Sequence, residues 1–277
     1  MTLTYHFLLS VFGAFGETPA KNNDLKPTTN MGKEFYLIVP PTLEKFDATR
    51  NTPSLEFHFY GFEGRLKVTL TTNKKIFYRN RKNANVNEID RFISVDKDDV
   101  ARIILACSLE GTCHVGVTEQ TSWTFRVRGE NSFGIYVHYL VSEFSVAVFT
   151  PLPVEAWGKK YFAVTLGSDH FIGLVAGKVS VSVVVTFRLE AEYENIVLEG
   201  GTYYNNKMAK ISIEKQEAFI VSTCKNSKYI GHITGTSFVG SQKFGVISGS
   251  CDSGTMTTSC YGSEEQKMGS KDMAVGR

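Results

Sequence analysis

Phe144 to Thr165 reads FSVAVFTPLPVEAWGKKYFAVT, a strand, a proline-marked corner and a second strand. Pro151 and Pro153 cannot donate to a β-ladder, so pairing stops between the strands. Pro153 to Trp157 is the best short helix candidate, with proline at its first position. The corner also reads as a seam. GKEFYLIVP (Gly32 to Pro40) and GKKYFAVTL (Gly158 to Leu166) share a Gly, a Lys, a charged residue, two aromatics and an apolar strand. Each opens a run of roughly a hundred residues of strand-like pattern, too long a period for a solenoid. We therefore expect a first β-rich subdomain at 32–150 and a second at 151–262.

Working outward, period-2 alternation dominates. Leu55, Phe57 and Phe59 line one face, with Glu56, His58 and Tyr60 on the other. Leu66, Val68 and Leu70 repeat the pattern, as do Phe133, Ile135, Val137, Tyr139 and Val141. The apolar parity changes at Ser142-Glu143, which predicts a tight hairpin or a bulge. Val179, Val181, Val183, Val185 and Phe187 form the clearest strand, and Gly200-Gly201 marks a turn. Asp98 to Ala106 suits a capped helical turn or a buried strand. Lys74 to Asn87, basic and Asn-rich, reads as a solvated loop. No long amphipathic helix is evident, so the fold class is all-β. We expect two similar antiparallel sandwich-like subdomains in tandem, with a propeller-like or closed β arrangement as the alternative.

The 277 residues carry 42% hydrophobic and 21% charged side chains, a globular balance, and 20 Phe and 12 Tyr favour pleated sheet. A net charge of +2 gives no electrostatic case for nucleic acid. The apolar run from Phe7 to Phe15, ending in Ala14-Phe15-Gly16, resembles a short secretory signal occupying residues 1–16. Its competitor is a buried first strand. Residues 17–31 read as a flexible leader and 263–277 as a disordered tail. No stretch reaches 18 apolar residues, so no membrane span is expected.

Five cysteines follow: Cys107, Cys113, Cys224, Cys251 and Cys260. In an oxidising compartment Cys107 with Cys113, and Cys251 with Cys260, are natural local disulfides, each stabilising by about 2–3 kcal/mol. Cys224 is left free or bonded to another chain. The zinc alternative of Cys107, Cys113 and His114 fits no closed structural site. Ser168-Asp169-His170 lines up three triad residue types, but neighbours in a strand point apart, and a polar loop is the better reading. Gly249 to Gly254 and Gly235 to Gly240 miss the patterns of serine-nucleophile loops. Lys74 to Lys82, basic around Ile76-Phe77-Tyr78, is either a polyanion surface or a loop that keeps an edge soluble. Glu190, Glu192 and Glu194 alternate as on a solvated strand edge, not as a glycosidase pair. Trp123 and Trp157 read as core or sheet-covering residues. We expect no catalytic residue, cofactor or resident metal.

Three blocks resemble the N-terminal domain family of IgGFc-binding protein: Gly32-Lys33-Glu34-Phe35 with Pro40, Pro151 to Thr165, and Tyr229 to Cys251. The resemblance spans about Met31 to Gln266. It implies an extracellular, non-catalytic module that binds proteins or glycans, or a structural subunit of mucus or matrix. In the family the Glu-Gln motif matching Glu265-Gln266 leads to a further Trp-Gly strand unit, so the chain is expected to correspond to the first part of a longer domain.

Overall fold

The computed structural model describes residues 30–39, 54–61, 64–78, 84–95, 101–106, 119–121, 124–142, 145–165, 170–198, 200–222 and 233–250. The first half contributes β1 (Gly32–Leu37), β2 (Ser54–Tyr60), β3 (Gly64–Tyr78), β4 (Ala84–Val95), β5 (Ala101–Ala106), β6 (Glu119–Thr121), β7 (Phe125–Ser142) and β8 (Ser145–Phe149). A 3-10 turn at Val154–Ala156 follows. The second half adds β9 (Gly158–Phe162), β10 (His170–Val175), β11 (Val181–Thr186), β12 (Asn195–Leu198), β13 (Gly201–Tyr204), β14 (Met208–Ile213), β15 (Ala218–Ser222) and β16 (Ser237–Ser250). The fold is all-β, and every pairing among the described strands is antiparallel.

Two long strands organise the two halves, and each carries the same signature. β7 holds Gly129-Glu130-Asn131-Ser132-Phe133-Gly134, and β16 holds Gly240-Ser241-Gln242-Lys243-Phe244-Gly245. At each the neighbouring strand slips register. β1 pairs Gly32 with Phe133 but Glu34 with Arg128; β9 pairs Gly158 with Phe244 but Lys160 with Val239. The polar residues bulge out of the ladder and the Phe ring returns over the glycine. A Cβ on Gly129 would lie 2.7 Å from the Phe133 ring, and one on Gly240 2.6 Å from that of Phe244. Only glycine permits that approach. The Phe35–Phe133 and Tyr161–Phe244 ring pairs both sit 5.0 Å apart.

The correspondence extends through the registers. Gly134 faces Tyr60 of β2 as Gly245 faces Val175 of β10. Gly129 faces Val68 of β3 as Gly240 faces Val183 of β11. β4 lies on β3 as β14 lies on β11, and β5 on β2 as β15 on β10. Six strands thus occur twice in one pairing scheme.

The copies differ in closure. β3 is 15 residues long, enough to pair with β7 at Val68–Thr72 and with β5 at Phe77 and Tyr78. The circuit β7–β2–β5–β3 therefore closes as a barrel. The expected sandwich gives way to the closed alternative, because one long strand bridges what would have been two sheet edges. β11 has only 6 residues, and the edge of β15 pairs instead with β6, borrowed from the first half. The second sheet is a half-barrel. The expected loop at Lys74 to Asn87 is also corrected: β3 runs to Tyr78 and β4 begins at Ala84. Asp98 to Ala106 resolves to strand at Ala101–Ala106.

Inward positions follow the alternation. Leu55, Phe57, Phe59, Phe125, Phe133 and Val137 fill the barrel, each stabilising by about 1.5–3 kcal/mol if exposed when unfolded. The same cluster draws in Phe171, Val175, Ala218, Ile220 and Ile247 from the outer face of the second sheet. The halves are thus cemented by a shared core. At the equivalent bulges, the first copy has Phe35 where the second has Tyr161. The Tyr161 hydroxyl donates to the Phe244 carbonyl at 2.7 Å and accepts from the Gly158 amide at 2.5 Å. Tyr161→Phe is expected to cost about 1–3 kcal/mol by orphaning both groups, read as a lowered urea midpoint. An unchanged midpoint would mean water takes the hydroxyl's place.

Candidate functional site

The outer wall of the barrel carries an unusual group of side chains. β2 alternates strictly, so with Leu55, Phe57 and Phe59 inward, Glu56, His58 and Tyr60 must face out. Register sets His138 of β7 opposite Glu56, and Tyr136 opposite His58. On the far side Arg102 of β5 faces His58. The His58 ring stacks on Tyr136 at 4.7 Å and 5° and meets His138 at 4.4 Å. So walled, His58 is only 7% exposed although it points outward.

His58 Nε2 stands 3.3 Å from Glu56 Oε2, a charge contact without the alignment of a hydrogen bond, and among the described residues neither ring nitrogen has a hydrogen-bond partner. One ligand atom each from Glu56, His58 and His138 lies within 4.8 Å of the other two. Burial lowers the His58 pKa first, then the neighbouring His138 charge, against the opposing pull of Glu56. Burial likewise lowers that of His138. With both below the ordinary 6.5 the imidazoles are neutral at pH 7, two nitrogen donors beside a carboxylate.

The internal repeat shows that the fold does not require this group. The second copy places Phe171, Gly173, Val175, Ile247 and Gly249 at the positions of Glu56, His58, Tyr60, Tyr136 and His138. There the surface is a packing face. A Cβ on Gly173 would fall 2.2 Å from Ile38 Cδ1 of the first half.

A second surface distinguishes the copies in the opposite sense. Across β14, β11, β16 and β9 the register forms one row of Lys210, Val184, Val239 and Lys160, and another of Met208, Thr186, Ser237 and Phe162. Met208 is 67% exposed, Val239 46%, Val184 37% and Phe162 36%. The corresponding rows of the first copy are Asp90, Thr69, Arg128 and Glu34, then Glu88, Thr71, Arg126 and Tyr36. The first copy thus carries charge where the second exposes apolar side chains.

Cys107, Cys113, Cys224, Cys251 and Cys260 lie outside the described residues, as do His114, Trp123, Ser168 and Asp169. So do residues 1–29, with the expected signal and nearly all of the leader, and the tail. His170 is not in a polar loop; it opens β10, fully buried. Glu190, Glu192 and Glu194 are not on a strand. They fall in a turn where buried Glu194 accepts from the Ala191 amide, because the side chain closes the turn on its own backbone. Trp157 is buried at the seam. Glu56 and His58 were legible as an outward pair, but His138 was missed, since only the register brings it opposite Glu56.

No protein-family model and no curated protein matches the chain, so the family resemblance rests on its own residues. Among solved structures, a protein from Parabacteroides distasonis inferred to be secreted aligns over 84% of this chain and 86% of its own, with 8% identity and a TM-score of 0.13. At that TM-score the likeness carries no argument. Among the described residues no helix is long and apolar enough to cross a membrane.

Proposed function

We propose that the protein is a secreted, non-catalytic binding module that engages an extracellular protein through the exposed part of its second sheet, across β14, β11, β16 and β9. The observation that carries this is the apolar platform of Val184, Val239, Met208 and Phe162. Contiguous exposed apolar surface rimmed by polar groups marks interaction sites. Lys160 and Lys210 flank the platform, which suits a partner with apolar side chains bordered by carboxylates or sulfated glycan. The three blocks resembling the IgGFc-binding N-terminal family support the extracellular assignment. Their described parts also meet in space: β1, the turn at Val154–Ala156 with β9, and β16 all pack at the seam around Trp157.

Two measurements test the reading. Expression in eukaryotic cells with peptide mapping is expected to give secreted protein that lacks residues 1–16. An intracellular product with an intact N-terminus sinks secretion. Surface plasmon resonance against purified mucin, IgG Fc and heparin then tests the platform. The double change Val184→Glu with Val239→Glu is expected to abolish capture while costing about 1–2 kcal/mol of stability, since strand propensity falls and the two carboxylates face each other across the ladder, and circular dichroism checks that the variant stays folded. Equal capture by the variant, or none by the native chain, removes the platform from the proposal.

A further inference from the structure

We propose that Glu56, His58 and His138 form a binding site for a divalent first-row transition metal, zinc being the ion best matched to the donors. Two neutral imidazoles and a carboxylate are a borderline donor set, suited to zinc, cobalt, nickel or copper and poorly suited to calcium or magnesium. At zinc–ligand distances of about 2.0–2.1 Å, tetrahedral coordination sets ligand atoms about 3.3 Å apart. His58 Nε2 and Glu56 Oε2 already stand at 3.3 Å. The three donors lie within 4.8 Å of one another, so a bound ion asks the widest gap to narrow by at most about 1.5 Å, within the reach of side-chain rotation at half-buried Glu56 and His138.

Two independent observations separate this site from ordinary packing. His58 is nine-tenths buried, and among the described residues neither ring nitrogen makes an aligned hydrogen bond; Nε2 has only its 3.3 Å contact with the Glu56 carboxylate, an arrangement that a metal shared by the two relieves. The equivalent face of the second copy manages with Phe171, Gly173 and Gly249, so neither the barrel nor the strand pairing demands histidine here. The positions are also rigid. Glu56 and His58 are separated by one residue on β2, and His138 is the register partner of Glu56 on β7. Three protein ligands on one sheet face leave a fourth position open outward, for water or for a donor atom of a partner. The assignment goes beyond the platform reading and does not depend on it, because the site lies on the other copy.

The test is Co²⁺ and Zn²⁺ titration of the chelator-stripped, full-length protein, followed by calorimetry and visible absorption. The expected result is one equivalent bound, with visible Co²⁺ bands of nitrogen–oxygen coordination. His58→Gln, His138→Gln and Glu56→Gln should each weaken binding at least tenfold. Glu56 is less buried than His58, so Glu56→Gln guards against a histidine variant that fails to fold. No binding by the native chain overturns the proposal. So does a cobalt–thiolate charge-transfer band, which would place the ion on cysteines, and so does affinity unchanged in Glu56→Gln and in the folded histidine variants.

Discussion

Replacing Trp157 with alanine is expected to lower the unfolding free energy by about 3–5 kcal/mol, among the largest losses a single change can produce here. Trp157 is 5% exposed and stands where both copies meet. Its ring lies 6.0 Å from that of Tyr36 on β1, and Nε1 donates to the Leu152 carbonyl at 3.2 Å. It packs directly on the backbone of β16, where a Cβ on Gly245 would come within 2.8 Å of the ring. Removing the indole leaves a void that these rigid ladders cannot collapse to fill. Urea unfolding followed by far-UV circular dichroism gives the value. A loss under about 1 kcal/mol would show that the seam contributes little and that the copies stand independently.

Glu34→Gln is expected to cost about 2–3 kcal/mol at neutral pH. Glu34, 7% exposed, receives Arg126 Nε at 2.7 Å within its own copy and Lys178 Nζ at 2.7 Å from the other. Burial would raise its pKa, but the hydrogen bonds and charges of Lys178 and Arg126 outweigh that and hold it below 4.5. With the folded pKa depressed, the unfolded chain takes up a proton first as the medium acidifies. The stabilisation is complete above about pH 4.5 and disappears as pH falls through the folded value. Stability of the native protein should therefore drop more steeply below pH 4.5 than that of Glu34→Gln, and the two curves should converge in acid. Parallel curves would mean that Arg126 and the 63% exposed Lys178 together fail to hold the Glu34 pKa down.

The sequence made some of this legible and hid the rest for definite reasons. Strict alternation in Leu55 to Tyr60 and Val181 to Phe187 reveals strands and their faces, because the side-chain period of a strand is fixed. The proline corner at Pro151 to Trp157 is a backbone constraint and equally readable. The repeat was visible only through GKEFYLIVP and GKKYFAVTL. Its stronger signature, a glycine, three polar residues, then Phe-Gly, went unread because the offset between copies is shorter at the last strand than at the first. Barrel closure depends on how far β3 continues past its regular apolar alternation, into Lys74 to Tyr78, where composition suggests solvent. The histidine group needed the β2–β7 register, and a one-residue slip would have paired Glu56 with a residue on the other face.

The borrowed strand β6 imposes an order on how the molecule is made. During synthesis Glu119 to Thr121 emerge well before their partners Ala218 to Ile220. Until then the first copy must be held with an unsatisfied edge, available to chaperones and to neighbouring nascent chains. Pairing so distant in sequence places the molecule among slow folders, in the range of about milliseconds to seconds. The two copies, although built alike, are therefore joined by a ladder as well as by a shared core. The second covers the edge of β15 by reaching back to β6, so a cut or deletion in the first half also strips a strand from the second sheet.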